Sequence, residues 1–488
     1  MNFTAENVLL IGSFLLLVSI MISKTGYRFG VPTLMSFLLV GMGFGSDGLG
    51  LQFSNVEQAQ FIGMLSLCII LFTGGMDTKI RDIRPVVSQG IVLSTLGVLL
   101  TTLFTGLFIY WISNLSFTNI HFSLTVSLLL AATMSSTDSA SVFNILRSQR
   151  MNLRNNLRPT LELESGSNDP MAFMLTVVLI QLIQTGGMSP WGLLGTFLLQ
   201  FAVGTVGGYL LGKGIVWTLN KIDLSNASLY PLLLLSFAFL TYAVTYYAQG
   251  NGYLAVYIAG IVVGNARIVH RREITTFFDG MTWLFQIAMF LTLGLLVNPH
   301  EMLDVTVVAV LISICMMFLS RPLSVFLCLL PYSKERIDYR SRAFISWVGL
   351  RGAAPIIFAT YPVVEGVEGS RQIFNIVFFI TLLSLLVQGT SISRVARYLH
   401  LDAPLTDDGN SFGLELPDEM RSKLQELEVT SELLSDGATL KEVTLPEGAL
   451  VMMVRRRGEH IVPNGQLALQ PGDVLLLISA DKTAEEEA

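Results

Sequence analysis

Long apolar runs recur at near-regular intervals along the first 400 residues. A bilayer core is about 30 Å thick and takes roughly 20 apolar residues per helix. Laid along the chain, that ruler predicts about thirteen spans. They fall near 7–23, 31–45, 58–75, 88–113, 121–146, 160–184, 190–219, 229–249, 253–268, 274–297, 303–331, 340–362 and 371–397. The second and ninth are short enough to be tilted or partly re-entrant. Beyond residue 400 the pattern changes to short alternating segments, VTLPEGALVMMVRRR and EHIVPNGQLALQPGDVLLLIS. The turn signals Pro463-Asn464-Gly465 and Gln470-Pro471-Gly472-Asp473 divide them. A short helix is predicted over 417–435. The expected fold class is a polytopic α-helical membrane protein followed by a small α+β domain.

Composition supports this division. Of the 488 residues, 52% are hydrophobic and only 14% charged. A soluble domain carries roughly 25% charged residues, which excludes a water-soluble fold for most of the chain. Residues 1–400 carry a net charge of +5 and residues 401–488 a net charge of −11. The expected domains are therefore a membrane part over 1–400, a linker over 401–414, and a soluble part over 415–488 with an acidic end. Cys68, Cys315 and Cys328 all lie in apolar runs, without metal-ligand spacing, and imply no disulfide framework. Only Glu6 is charged ahead of the first apolar run, which predicts a retained first span and not a cleaved signal peptide.

Charge also orients the spans. With the N-terminus outside, 21 of the 23 basic residues in 1–400 fall in or next to inside segments. Arg371 alone falls outside and Arg351 falls mid-span. A wrong count would scramble the alternation, so the positive-inside rule predicts an odd number of spans and a cytoplasmic tail.

A charge deep in a membrane helix costs about 2.5–3.5 kcal/mol to insert and usually has a function. The fifth span carries Thr133-Met134-Ser135-Ser136-Thr137-Asp138-Ser139-Ala140-Ser141. Hydroxyl side chains compete for backbone hydrogen bonds and favour a break, and a broken helix frees carbonyls for a cation. A helix interface rich in small residues would account for the serines but not for Asp138. The sixth span carries Glu164-Ser165-Gly166-Ser167-Asn168-Asp169-Pro170. Glu164 and Asn168, like Ser165 and Asp169, are spaced i, i+4 on one helix face. Asp169 offers hard oxygens that can hold either a proton or a small cation, the competition that exchange requires. The twelfth span carries Gly349-Leu350-Arg351-Gly352-Ala353-Ala354-Pro355. Arg351 cannot shed its charge and must be paired or face a polar cavity, and Glu164 is the expected partner. Two broken helices seven spans apart run in opposite directions, as an inverted repeat requires. Asp279 falls near the inside mouth, where a funnel role and simple solvation both remain open. The histidines fall at helix ends or in the tail and read as solvated.

At these residues the chain resembles the NhaP-type, electroneutral branch of the sodium–proton exchanger superfamily. The resemblance spans residues 1–400 and rests on Thr137-Asp138, Glu164-Ser165-x-x-Asn168-Asp169 and Arg351 in GLRGAAP. It implies that Asp169 and Asp138 bind cation and proton, and that Thr137 and Ser165 add oxygens directly or through water. Asn168, in place of a second Asp, resembles the one-for-one exchangers. Glu164 and Arg351 resemble the ion pair that braces the core. It further implies a homodimer with an elevator-like core, in a bacterial inner membrane, with K⁺ or Na⁺ and H⁺ as substrates. The tail resembles a TrkA-C (RCK-C) regulatory domain, which implies a nucleotide or other small ligand and, by association, tilts the cation toward potassium. Arg455, Arg456 and Arg457 would form its anion site or a solvated strand end. No enzymatic cofactor and no nucleic-acid partner are implied.

Two other classes fit less well. A potassium channel needs a filter of the T-V-G-Y-G kind, and no such run is present. An intramembrane aspartyl protease would use Asp138 and Asp169, but its Y-D and G-x-G-D contexts are missing and Arg351 would go unexplained.

Overall fold

The computed structural model describes residues 5–29, 33–115, 120–149, 151–186, 189–332, 337–404 and 424–479, except 431–432, 435–436, 438, 447 and 457–458. It divides into two compact units, Met1–Pro404 and Leu405–Ala488.

Among the described residues of the first unit, eight helices are long and apolar enough to cross a bilayer, and five shorter apolar helices accompany them. They occupy the places that the apolar runs predict. In chain order they are α1 (Ala5–Phe29), α2 (Thr33–Phe44), α3 (Val56–Asp77), α4 (Ile80–Ser113), α5a (Leu124–Thr133) with α5b (Ser139–Ser148), and α6 (Leu157–Gln184). Next come α7 (Pro190–Lys221), α8 (Leu229–Tyr247), α9 (Gly252–Gly264) and α10 (Arg271–Leu296). The series closes with α11 (Pro299–Tyr332), α12a (Tyr339–Trp347) with α12b (Ala353–Val364), and α13 (Ser370–Tyr398). Side chains of Asn55, Ser123, Ser189, Asn251 and Asp338 cap the starts of α3, α5a, α7, α9 and α12a, satisfying amides that would otherwise be orphaned.

Helix α3 packs against α9 and α10, α7 against α9, and α5a against α4 and α6. Gly75 of α3 and Gly260 of α9 meet so closely that a Cβ on either would strike the other helix's backbone. Small residues of this kind let membrane helices pack by direct backbone approach. Single π turns interrupt α4 at Leu93–Gly97, α11 at Met316–Ser320 and α13 at Leu385–Gly389. Such turns re-aim side chains and often sit beside functional sites. Here one ends at Arg321 and another carries Gln388.

A two-stranded ribbon completes this unit. β1 (Met151–Leu153), between α5b and α6, pairs antiparallel with β2 (Asp402–Pro404), which follows α13. This corrects the expected linker over 401–414, because its first residues form a strand of the membrane unit.

The second unit is a four-stranded antiparallel sheet of β3 (Leu424–Glu428), β4 (Ala449–Arg456), β5 (Glu459–Ile461) and β6 (Val474–Ser479), in the order β3-β6-β4-β5. Val429, Val443, Val454, Leu469, Leu475 and Leu477 form its core. The helix expected over 417–435 is corrected at Leu424–Glu428, which pairs with Val474–Ile478 of β6. Residues 417–423 lie outside the described residues. Leu, Gln and Glu favour a helix, but β6 buries Leu475, Leu476 and Leu477 in succession and is flanked on both edges. Pairing with that central strand overrides local propensity.

Arg456 and Asp473 join β4 to the turn before β6. Arg456 Nε donates to Asp473 Oδ1 at 2.9 Å and Nη2 to Oδ2 at 2.8 Å, while the Gln470 amide donates to Oδ2 at 2.8 Å. The Arg456 guanidinium, with help from that amide, holds the Asp473 carboxyl below its usual value. Its folded pKa therefore lies under the unfolded value of about 3.9. The stabilisation is fully present above that value and is lost as pH falls through the folded one. Asp473→Asn is expected to destabilise the tail at neutral pH by about 2 kcal/mol and to flatten its acid dependence. Hydrogen exchange at the β6 amides of the full chain reads both effects.

Candidate functional site

The fifth and twelfth spans break where they meet. Helix α5a ends at Thr133, and α5b begins at Ser139 with Asp138 as its cap. Asp138 Oδ1 accepts from the Ser141 amide at 3.0 Å, and its other oxygen accepts from the Ser141 hydroxyl. The Asp138 amide donates to the Leu350 carbonyl at 2.8 Å, stitching one break to the other. Gly352 begins α12b directly against the Asp138 carboxylate, in a space that any Cβ would fill.

Four helix ends lie at these breaks, and at three of them a polar side chain answers the partial charge of the exposed backbone. Asp138 sits at the positive end of α5b. Arg351 Nη1 donates to the Ser135 carbonyl at 3.0 Å and to the Ser136 carbonyl, covering the backbone just past the negative end of α5a. Gln388 Nε2 donates to the Trp347 carbonyl at 2.8 Å, at the negative end of α12a. Ser384 accepts from the Arg351 amide at 2.9 Å and donates to Gln388 at 2.6 Å, fixing the second break from α13.

Helix α6 lies alongside and holds the extended stretch of α5. Ser165 Oγ donates to the Thr137 carbonyl at 2.7 Å and accepts from the Ser139 amide at 3.0 Å. Asn168 Nδ2 donates to Thr137 Oγ1 at 2.6 Å, and Asn168 Oδ1 accepts from the Thr137 amide at 3.4 Å. The Ser136 hydroxyl donates to Asp169 Oδ1. Beyond Asp169, Pro170 has its carbonyl bound by Asn251 Nδ2 at 2.7 Å, which ties α6 to the start of α9. Asn168 and Arg351 are buried, at 0% and 3% exposed. Asp138 and Asp169 are only half-buried. Thr137, Ser165, Asn168 and Arg351 are already engaged by one another and by the backbone of the break, which leaves the two carboxylates as its partly exposed charges.

One expected contact is corrected. Glu164 does not pair with Arg351; its carboxylate is bound by Arg321 Nη2 from α11, both groups being nearly fully buried. Arg351 is spent on the Ser135 and Ser136 carbonyls of the extended stretch after α5a, which the helix break exposes and which no sequence spacing reveals. Arg321 escaped the sequence reading, although a lone charge in the apolar run 303–331 was the available signal. Ser136 stood in the polar patch without being singled out, and Asn251 gave no signal at all.

A family model for the transmembrane sodium/hydrogen exchangers matches residues 13–398. The chain belongs to the sodium/hydrogen exchanger family. A second model, for the TrkA-C domain, matches residues 424–486 of the exchanger. The exchanger is 38% identical over 477 residues to the K(+)/H(+) antiporter NhaP of Alkalimonas amylolytica, covering 96% of this chain and 80% of that one. It is 37% identical over 485 residues to the K(+)/H(+) antiporter NhaP2 of Shewanella oneidensis, covering 98% and 82%. Its fold is similar to that of the sodium proton antiporter MjNhaP1 from Methanocaldococcus jannaschii. The TM-score is 0.69 at 23% identity, over 81% of this chain and 99% of that one.

Around the exchanger's carboxylates, exposure rises toward the end of the membrane unit that carries the ribbon. Along α5b, Ala140, Asn144 and Arg147 are exposed; along α6, Glu162, Gly166 and Asp169 are half-exposed, whereas Pro170 to Met174 are buried. An aromatic cluster fills the opposite side. Phe173 meets Tyr253 at 4.8 Å, Tyr361 at 5.1 Å and Phe358 at 5.7 Å between ring centroids, and Tyr242 stacks beyond Tyr253 at 5.0 Å. The helices that carry the site are therefore more exposed on the ribbon side of the carboxylates than on the aromatic side. Asp279 is exposed and lies within electrostatic reach of Asp77 and Arg147.

Arg455 and Arg456 of the tail have different settings. Arg456 is engaged by Asp473 and by the Ala468 carbonyl at 2.7 Å. Arg455 pairs in register with His460 across β4 and β5, and Arg457 lies outside the described residues. A guanidinium held by a bidentate carboxylate has little left for an added anion, which corrects the expected anion site at Arg456. Among the described residues there is no cluster of three or more His, Cys, Asp or Glu side chains suited to a resident metal.

Proposed function

We propose that this exchanger trades K⁺ for H⁺, one for one, with Asp169 holding the cation and the proton in alternation. The contact between Ser136 and Asp169 at an open helix break carries this reading. Asp169 keeps one carboxylate oxygen clear of hydrogen bonds among the described residues and is partly exposed. Asp138 adds a second carboxylate beside it, and the oxygens of Thr137 and Ser165 lie in the same wall. The surrounding charges are balanced without it. Glu164 answers Arg321, and the charges of Arg351 and Asp138, one on each side of the joined breaks, offset one another. One exchangeable carboxylate in a balanced setting supports one cation per proton, with Asn168 where a second acid would add charge. The names of the relatives and the TrkA-C tail support potassium over sodium.

In this proposal residues 1–404 form the transport part and the TrkA-C domain regulates it through a nucleotide or other small ligand. Two copies assemble as a homodimer in the bacterial inner membrane, with the N-terminus outside and the tail in the cytoplasm. The ribbon side then faces the cytoplasm. Exposure of Asp169 to the other side requires parting the aromatic cluster, as α6 and α12b move past α8 and α9. Asp279, Asp77 and Glu162 form an entry funnel for cations.

The test is proton efflux from acid-loaded proteoliposomes of the full chain, with K⁺, Na⁺, Li⁺ or Rb⁺ added outside. K⁺ and Rb⁺ are expected to drive efflux at rates independent of an imposed membrane potential. Efflux driven by Na⁺ or Li⁺ alone would overturn the potassium assignment, and a rate that follows the potential would overturn the one-for-one ratio.

A further inference from the structure

The tail leaves the membrane unit from a place bound to the ion site's own helices. β1 lies in the link between α5b and α6, separated from α5b by residues 149–150 and from α6 by residues 154–156. Asp138 caps the far end of α5b, and Asp169 lies on α6. β2 follows α13 after a left-handed turn at His400 (φ 60°) and is the last strand before residue 405.

The attachment is firm on both sides. The Arg154 amide donates to the Leu401 carbonyl at 3.0 Å, and Arg154 Nε donates to the Asp402 carbonyl at 2.9 Å. Asn152 faces Ala403 in the same register. Antiparallel pairs alternate between bonded and non-bonded, so this pair exchanges both of its backbone bonds. Met151, Leu153 and Leu401 are buried in the main core with Leu146 of α5b and Leu157 of α6. Arg397 Nη2 reaches Gln149 at 3.0 Å, and Asn155 Nδ2 reaches Ser341 of α12a at 3.2 Å. Both broken helices are thus joined to one ribbon. Asn155 and Asn156 adopt left-handed backbone angles (φ 59° and 52°), so the connection to α6 is a tight turn with no slack loop.

We propose that the β1–β2 ribbon is the connection through which the tail and the ion site act on one another. This rests on the reading of the tail as regulatory. A ribbon packed into the core moves with α5b and α6, so any shift of those helices during transport displaces Pro404, where the tail begins. By reciprocity, a tail that favours one position of Pro404 favours one position of the site.

The test uses the full chain in K⁺/H⁺ exchange assays. Ala403→Pro removes a ladder donor, and a ten-residue Gly/Ser insertion between Pro404 and Leu405 slackens the tether. Each alone is expected to shift half-saturating K⁺ about fivefold or more, in the same direction. Together they are expected to do no more than one alone, because both cut the same connection. If Ala403→Pro misfolds, Arg154→Ala serves in the same comparison. An insertion without effect, or two shifts that multiply, would overturn the proposal. Asp169→Asn in each background separates this result from the site reading: exchange that survives it sinks the site assignment, whatever the ribbon does.

Discussion

Asp169→Asn is expected to leave the exchanger folded and to reduce cation-driven proton efflux to the level of protein-free liposomes. The Asn side chain matches Asp in shape, and its Oδ1 still accepts from the Ser136 hydroxyl, the one hydrogen bond that the Asp169 carboxylate makes among the described residues. Pro170 and Asn251 hold α6 independently of the carboxylate. The change therefore removes only a charge that can be exchanged for a proton. Asp138→Asn tests a different role, because both Asp138 oxygens are engaged by Ser141 at the start of α5b. Ser136→Ala supplies the graded case. It removes one hydrogen bond to Asp169, about 1.5–3 kcal/mol to a charged partner, and should move half-saturating K⁺ without abolishing efflux. Monodisperse elution of all three variants with efflux surviving in Asp169→Asn would refute the assignment.

The sequence made the span plan legible because a bilayer imposes a length on every apolar run. Each of the thirteen runs holds an apolar helix, eight of them long enough to cross a bilayer and five shorter, α2 and α9 among the short ones. Both breaks were legible for a related reason. Asp138 among hydroxyls and Arg351 between glycines cannot rest in a continuous apolar helix. Partner choice was not legible. Glu164 has two buried arginines to choose from, and which one it meets depends on how α6, α11 and α12 are placed around it. Arg351 turned instead to the carbonyls of Ser135 and Ser136, acceptors that exist only once α5 is broken. The tail showed a second limit. Leu424–Glu428 reads locally as helix, and only its place beside β6 makes it a strand. The ribbon was hidden for the same reason: Met151–Leu153 and Asp402–Pro404 are each too short to signal a strand without the other.

The revised pairing leads to the second large effect. Arg321→Met is expected to destabilise the full chain by about 3–5 kcal/mol, the cost of leaving one member of a buried ion pair without its partner. Glu164 is 1% exposed and Arg321 3%, so water cannot solvate the carboxylate that remains. Glu164→Gln in the same chain should recover most of the loss, since a neutral amide carries no stranded charge. The same rescue should fail for Arg351→Met. There the lost contacts are to the Ser135 and Ser136 carbonyls, and neutralising Glu164 does nothing for them. Thermal unfolding of purified full-length protein in detergent, across the two double-mutant cycles, reads the difference directly. Rescue of Arg351→Met and not of Arg321→Met would restore the original pairing. The expected outcome assigns the two arginines separate tasks. Arg321 neutralises the acid beneath the site, and Arg351 holds the broken end of α5a so that the Ser136 hydroxyl stays on Asp169.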